Sequence, residues 1–584
     1  MLRDLPLRIA SASALILSLT ASLTHLGAQQ APDDLPTITI RANTRLVVVD
    51  VVATDRKGQP VTKLKPEDFT LEENGKKQKV SVFVPPGVAG NKSSSLAPVR
   101  PGVLSNHSEN VISAGIPTVL LLDAANSDFK DQSYARSQML KYVLEQGQAE
   151  RAMAVLTLTD RLRVLQQFTS DPQALVTAIK NLTLQEQILQ PAAARPEAHA
   201  LPDSPAMAAL IIANDMAAAQ TFLAAQIGYA TERRTLITIE AMKALARILG
   251  GLPGRKNVVW LTSSLPFDLV PQDRDVSDAE LLAELPGQGK QRSVGVNAAG
   301  SQAAEQRELH GQEIREAESQ LAGAGVAIYP VDLNGLVSGM ESSADSAGSV
   351  YSDKALSNRA SAQISGLQSS HGTMEEVAKQ TGGRAYFNQN EIKDGIALAA
   401  SDERGSYTLG YYSDNKKWDG KFRNIKVRVS QDDTQLRYRK GYFAIEPGPA
   451  KNHNYEQDVA AALAVDVPAT QVSFQAQAKP IDPCKIRVVF LVDAHTLTAE
   501  DSGGKMKMNV NLYATVWGVG DKNLASQSIK VDKSFDTATY QQILDHGMMV
   551  PIDMEVPAGS KELRLAVLDN KTGFIGTLSG PLGQ

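Results

Sequence analysis

Four short apolar runs, separated by helix-like sequence, constrain this chain more than anything else in it. They are TVLLLDA from Thr118, MAVLTLTD from Met153, NVVWLTSS from Asn257 and VAIYPVD from Val326. A strand with one wet face alternates apolar and polar residues. A short run that is apolar at nearly every position needs cover on both faces, which is the condition of a buried parallel strand. The intervening segments carry helix signals. Asp171 stands as an N-cap with Pro172 in the first turn. Thr373 and Glu376 make a capping box, and Thr381-Gly382-Gly383 ends that helix. The Ala-rich region at about 204–250 reads as two helices, and RLRVLQQFT turns back from MAVLTLTD at Asp160-Arg161. The alternation predicts an α/β fold: a doubly wound, mostly parallel sheet with helices on both faces, spanning residues 116–405.

The flanks follow a different rule. Residues 36–84 read as β throughout, with FTLEENGKKQKVSVF folding back at Asn74-Gly75, a strong type I′ hairpin signal. Residues 85–115 are rich in Pro, Gly and Ser and read as a linker. After Ser406 the period-2 strands SYTLGYYS, RNIKVRVS and QLRYRKGYFA occupy 406–445, and Gly/Asp/Asn turns between strands at 465–584 predict a C-terminal β-sandwich. Segment 36–84 is too short for a comfortable core of its own. It is therefore expected to pair with 406–445 in one discontinuous β-sandwich, with the α/β domain inserted between the two halves. The Ser/Gly/Gln-rich stretches at 285–304 and 337–370 read as long loops.

Charge and cysteine content narrow the chemistry. With 59 Lys+Arg against 64 Asp+Glu the net charge is −5, which argues against a general nucleic-acid binder. The single cysteine, Cys484, excludes an internal disulfide and any Cys-rich metal centre. Residues 1–28 begin with Arg3 and Arg8, run apolar from Ile9 to Leu23 and end on Leu26-Gly27-Ala28, the plan of a secretory signal peptide. The expected location is therefore the periplasm or the exterior. Ala206 to Leu223 is broken by Asn214 and Asp215, so no membrane-spanning segment is expected after signal removal.

The ordered blocks TVLLLDAANSD, MAVLTLTDRLRVLQQFTSD, NVVWLTSSLP, GVAIYPVD and EEVAKQTGGRAYFN resemble a von Willebrand factor type A domain. With the flanks TRLVVVDVVATDRKGQPVTKLKPEDFTLEENGKKQKV and SYTLGYYSDNKKWDGKFRNIKVRVS, residues 40–445 are similar to the bacterial, Acidobacteria-type "VWFA-related" secreted proteins. Two insertions, near 184–230 and 285–370, depart from a minimal type A domain. The resemblance implies a Rossmann-like sheet and a metal-ion-dependent adhesion site of the form D-x-S-x-S, completed by a loop Thr and a downstream Asp. A hard Mg²⁺ ion there takes oxygen ligands and leaves one position for a partner's carboxylate. This chain supplies Asp123, Ala125 and Ser127 for the motif and Ser263 for the downstream Asp. That is a degenerate set, so no metal is assigned; Mg²⁺ or another divalent cation, if held, would rest on Asp123 and Ser127. The crevice at the strand ends remains the expected binding place, lined by Asp123, Asn126, Ser127, Thr262 and Ser263.

Other motifs are incomplete. Asp273, Asp275, Ser277 and Glu284 fall at calcium-loop positions, yet Asp278 replaces the turn glycine and Ser277 with Glu280 reads as a capping box. Gly250 to Lys256 lacks the hydroxyl of a phosphate loop, since Asn257 follows the lysine. His371 reads as a solvated residue flanking a helix, Cys484 as a small buried hydrophobe, and Tyr407, Tyr411, Tyr412, Tyr438, Tyr442 and Phe443 as cross-strand packing rather than a sugar platform. No catalytic constellation is recognised. The expected function is an extracytoplasmic module for protein–protein interaction, adhesion or assembly, with an unidentified envelope or extracellular partner. The alternative is a secreted or periplasmic hydrolase with an unrecognised active site.

Overall fold

The computed structural model describes residues 46–87, 102–107, 116–146, 152–184, 205–267, 296–334, 370–388, 391–417, 419–444 and 454–582. Residues 1–28, read as a signal peptide, and the calcium-like loop 273–284 lie outside these residues.

The four apolar runs form one sheet. Its order is Val326–Asp332, Lys256–Thr262, Thr118–Asp123, Met153–Leu158 and Leu162–Thr169; the first four are parallel and the last is antiparallel. Every residue of Thr118–Asp123, Lys256–Thr262 and Val326–Asp332 is buried. One face packs under Pro205–Leu249, Val296–Gly323 and helix 370–381, through Ile239, Met242, Leu245, Leu321 and Val377. The other packs under Phe129–Gln146, Pro172–Lys180 and Ile392–Ser401, through Met139, Leu175, Ile179 and Ile396. Each such fully buried Leu or Ile contributes roughly 1.5–3 kcal/mol by leaving water, so two complete faces outweigh the weak propensities along the helices. Asp171 caps its helix, accepting from Gln173 N at 2.9 Å.

Strands before and after this domain interleave. One sheet runs Gln435–Arg437, Leu46–Thr54, Ser406–Tyr412, Val80–Val84; the other runs Gly441–Phe443, Phe422–Val429, Phe69–Glu73, Lys76–Gln78. Asn74 and Gly75 take φ of 47° and 79°, as a type I′ turn requires. Tyr407, Tyr411, Tyr438 and Tyr442 belong to the core between these sheets. Glu73, only 3% exposed, accepts from Tyr411 Oη (2.7 Å), Tyr442 Oη (2.9 Å) and Ser413 Oγ (2.7 Å) and lies 3.6 Å from Arg423. A buried carboxylate needs that degree of satisfaction.

The C-terminal sandwich pairs the sheet Met548–Glu555, Lys485–Val492, Phe474–Asp482, Leu104–Ser105 with the sheet Glu500–Ser502, Lys505–Trp517, Glu562–Asp569, Ile575–Pro581. It docks on the α/β domain where Thr470 Oγ1 donates to Ile248 O (2.7 Å) and accepts from Gly251 N (2.9 Å).

Four expectations change. The Ala-rich region is one helix of 45 residues, not two. Residues 296–304, read as loop, open the helix Val296–Gly323. Leu104 and Ser105, read as linker, form a strand on Ala476 and Gln475 of the C-terminal sandwich. Cys484 is exposed rather than buried, because it sits in the turn between Phe474–Asp482 and Lys485–Val492, where its N–H binds Asp482 at 2.9 Å. Among the described residues no helix is long and apolar enough to cross a membrane.

Candidate functional site

Three strands end at the same level and carry Asp123, Thr262 and Asp332 as their last residues, Thr262 and Asp332 being register partners. In a parallel sheet this edge is where loops diverge and side chains become free to do chemistry. The five residues expected to line a crevice do converge here, at two levels.

The inner level is sealed. Asp123, Asn126, Ser127 and Thr262 are each at most 1% exposed. Asp123 Oδ2 accepts from Trp260 Nε1 (2.9 Å) and Asn126 Nδ2 (3.0 Å), and its Oδ1 accepts from the backbone N–H of Asn126 (3.1 Å). The Asn126 amide also reaches Thr238 Oγ1 (3.0 Å). Burial pushes the Asp123 carboxyl up, and the bonds from Asn126 and Trp260 pull it back. Ser127 Oγ accepts from Ser263 N (3.0 Å), and Gln132 Nε2 closes the loop by donating to Ser127 O (2.8 Å).

The outer level is polar and partly open. Ser263 Oγ donates to Asp131 Oδ2 (2.7 Å), while Asn334 Nδ2 donates to Ser263 O (2.7 Å) and Asp332 Oδ1 (2.7 Å). His371 Nε2 lies 2.8 Å from Asp332 Oδ2 and its ring stacks on Phe387, with centroids 4.2 Å apart. It is thus a part-buried member of the network rather than a solvated flank residue. Burial raises the Asp131 carboxyl; the Ser263 bond opposes this and nearby Asp128 reinforces it. Asp128, Phe129 and Lys130 stand exposed on the rim.

This donor set does not suit a divalent cation. Trp260 and Asn126 aim N–H groups at the carboxylate that a metal would need, and Ala125 brings no oxygen. Among the described residues no three His, Cys, Asp or Glu side chains are grouped to share an ion. Lys256, the lysine of the incomplete phosphate loop, donates to Leu252 O (2.9 Å) and Gly254 O (2.7 Å) instead. The Asp332–His371 pair could orient a base, but the Ser263 hydroxyl of the same network is committed to Asp131.

Trp260, Gln132, Thr238, Asp131, Asp332 and Asn334 are the site residues that sequence reasoning missed. Asp332 had a signal: it closes VAIYPVD as Asp123 closes TVLLLD. Trp260 had none, because an indole within a buried strand reads as core.

No protein-family model and no curated protein matches the chain. Among solved structures it is similar to an aerotolerance-related membrane protein from Bacteroides fragilis, at 13% identity over 49% of this chain and 98% of that one, TM-score 0.23. It is similar to BatB from Bacteroides thetaiotaomicron at 11% identity over 50% and 98%, TM-score 0.22. A pilus adhesin, SpaC from Lactobacillus rhamnosus, matches at 8% identity over 90% and 59%, TM-score 0.19.

Proposed function

We propose that this is an exported von Willebrand factor type A-like binding protein that meets a protein partner through the rim of its α/β sheet and does so without a metal ion. The observation that carries the reading is the sealed Asp123: its carboxylate is fully engaged by Trp260 and Asn126, so an ion would have to displace protein donors to bind. Contact then falls to the outer level, where exposed Asp128, Phe129 and Lys130 adjoin Ser263 and Asn334. Phe129 is 54% exposed, and an accessible aromatic inside a polar rim is the arrangement found at recognition surfaces.

Two measurements test this. Melting temperature should stay unchanged on adding millimolar Mg²⁺, Mn²⁺ or Ca²⁺; a rise with any of them means that an ion binds the native state and defeats the metal-free reading. In pull-downs from envelope extract, the double variant Phe129→Ser, Asn334→Ala should lose a partner that the parent retains. Equal capture by both would move the binding surface elsewhere.

A further inference from the structure

The C-terminal sandwich guards its sheet edges unevenly. Leu104–Ser105 is two residues long, Met548–Glu555 carries Pro551, and Ile575–Pro581 holds Gly576, Gly580 and a terminal Pro581. Short strands, prolines and glycines all discourage pairing by another chain. The strand Asn523–Phe535 has none of these three devices; its guards are the charges Lys530, Asp532 and Lys533, which are of both signs. It runs for 13 residues without Pro or Gly, and among the described residues it pairs with Lys505–Trp517 alone. Nine of those residues are exposed, and from Ser526 to Lys530 the exposure includes both faces. Even Ile529, on the side that faces the core, is 37% exposed. Met548–Glu555 passes near this strand without pairing with it, so among the described residues its outer row of N–H and C=O groups forms no ladder and is a template for one more strand.

The sequence itself indicates which strand. Val531 sits opposite Val510, whose side chain is buried, so Lys530 and Asp532 both point to the outer face. A two-fold axis through Val531 lays a second copy antiparallel. It then sets Lys530 against Asp532 of the second copy, twice over, with Ser528 against Ser534 and Ile529 beside the aliphatic stem of Lys533. Centring the axis on Ile529 instead puts Lys530 against Ser528 and Asp532 against Ser526, losing both charge matches. Within one copy Asp532 lies 3.3 Å from Lys507, while Lys530 has no carboxylate partner among the described residues. The two-fold supplies one.

We propose that the chain forms a two-fold homodimer by antiparallel pairing of Asn523–Phe535 with itself, centred on Val531. The dimer joins two C-terminal sandwiches into one continuous sheet. It rests on a different surface from the α/β rim and stands or falls independently of it.

Sedimentation of the purified full-length chain reads the outcome directly. The parent should sediment as two copies. Lys530→Asp sets like charges opposite each other at two symmetry-related places and should weaken the dimer about tenfold. The charge swap Lys530→Asp with Asp532→Lys restores both pairs and should bring the dissociation constant back to within about threefold of the parent. The swap also brings a second ammonium group near Lys507, an exposed contact that costs little. Circular dichroism melts confirm that each exposed-strand variant folds. A parent that stays monomeric across the concentration range overturns the proposal. So does a dimer indifferent to Lys530→Asp, or one that the double swap fails to rescue.

Discussion

Trp260 is the residue on which the sealed site turns. Replacing it with Phe keeps most of the packing but removes one donor from a fully buried carboxylate, which should lower unfolding stability by about 1–3 kcal/mol. Asp123→Ala leaves the indole N–H and the backbone N–H of Asn126 unpaired, while the Asn126 amide keeps Thr238 Oγ1, and should cost about 2–4 kcal/mol. Because the two share one bond, the double variant should lose less than the sum, and urea unfolding of all three reads the difference. Glu318 gives a second prediction at this scale. It is 5% exposed, its Oε1 has no partner among the described residues, and burial with the neighbouring Glu376 carboxylate pushes it up to about 8, against the pull of Arg315. A carboxyl raised in the fold holds a proton that the unfolded chain has released. Its contribution is therefore complete below the ordinary glutamate value and drains away as pH rises toward 8. Glu318→Gln should flatten that decline, by a few kcal/mol at most, in melts run from pH 5 to 8. Asp123 was legible because a polar residue closing an apolar run stands out. Glu318 was not, since a helix pattern does not say which carboxylate its neighbours will cover.

Whole elements obeyed two signals and ignored a third. Caps and turns appear where the local chemistry demands them: Asp171 accepts from Gln173 N, and the Asn74-Gly75 pair takes positive φ. Asp171→Ala should cost its helix about 1 kcal/mol in thermal or urea unfolding. Strand runs in the α/β sheet were equally plain, because double-sided burial leaves no room for polar alternation. Helix ends without caps were not. The 45-residue Pro205–Leu249 continues through Gly228, as a glycine costs only about 1 kcal/mol while Ile239, Met242, Leu245 and Leu249 anchor the C-terminal half to the sheet. The end of this helix is also a joint. A Cβ at Gly251 would sit 1.9 Å from Thr470 O, so Gly251→Ala should pry the C-terminal sandwich from the α/β domain. Hydrogen exchange at the Gly251 and Thr470 N–H groups, which bond Thr470 Oγ1 and Arg247 O across the joint, should then be faster than in the parent, and an unchanged rate would show that the joint tolerates the methyl group.

At the scale of the molecule, three cores are stitched rather than strung. The base of the α/β sheet grips the first sandwich through Arg255, which donates to Tyr329 Oη (2.9 Å) and Gly382 O (2.7 Å); Tyr329 in turn donates to Asp402 (2.9 Å), which Arg437 also binds. The interleaving makes the first sandwich dependent on both chain halves. A chain that starts at residue 116 would leave Ser406–Tyr412 without Leu46–Thr54 on one side and Val80–Val84 on the other. It should aggregate where the full chain stays dispersed, as light scattering would show. The size of segment 36–84 pointed to a missing partner, whereas nothing in a Pro- and Ser-rich stretch marked Leu104–Ser105 as a strand. A pairing two residues long is set by where the chain passes, not by its composition.

That short strand has a consequence in time. A chain that emerges from its N-terminus must hold residues 46–84 waiting until 406–443 arrive, and Leu104–Ser105 waiting until Phe474–Asp482 arrives. The inserted α/β domain is complete before either neighbour is, so it is the first body able to fold and the platform against which the others close. While those early strands stay unpaired, a chaperone has most to protect.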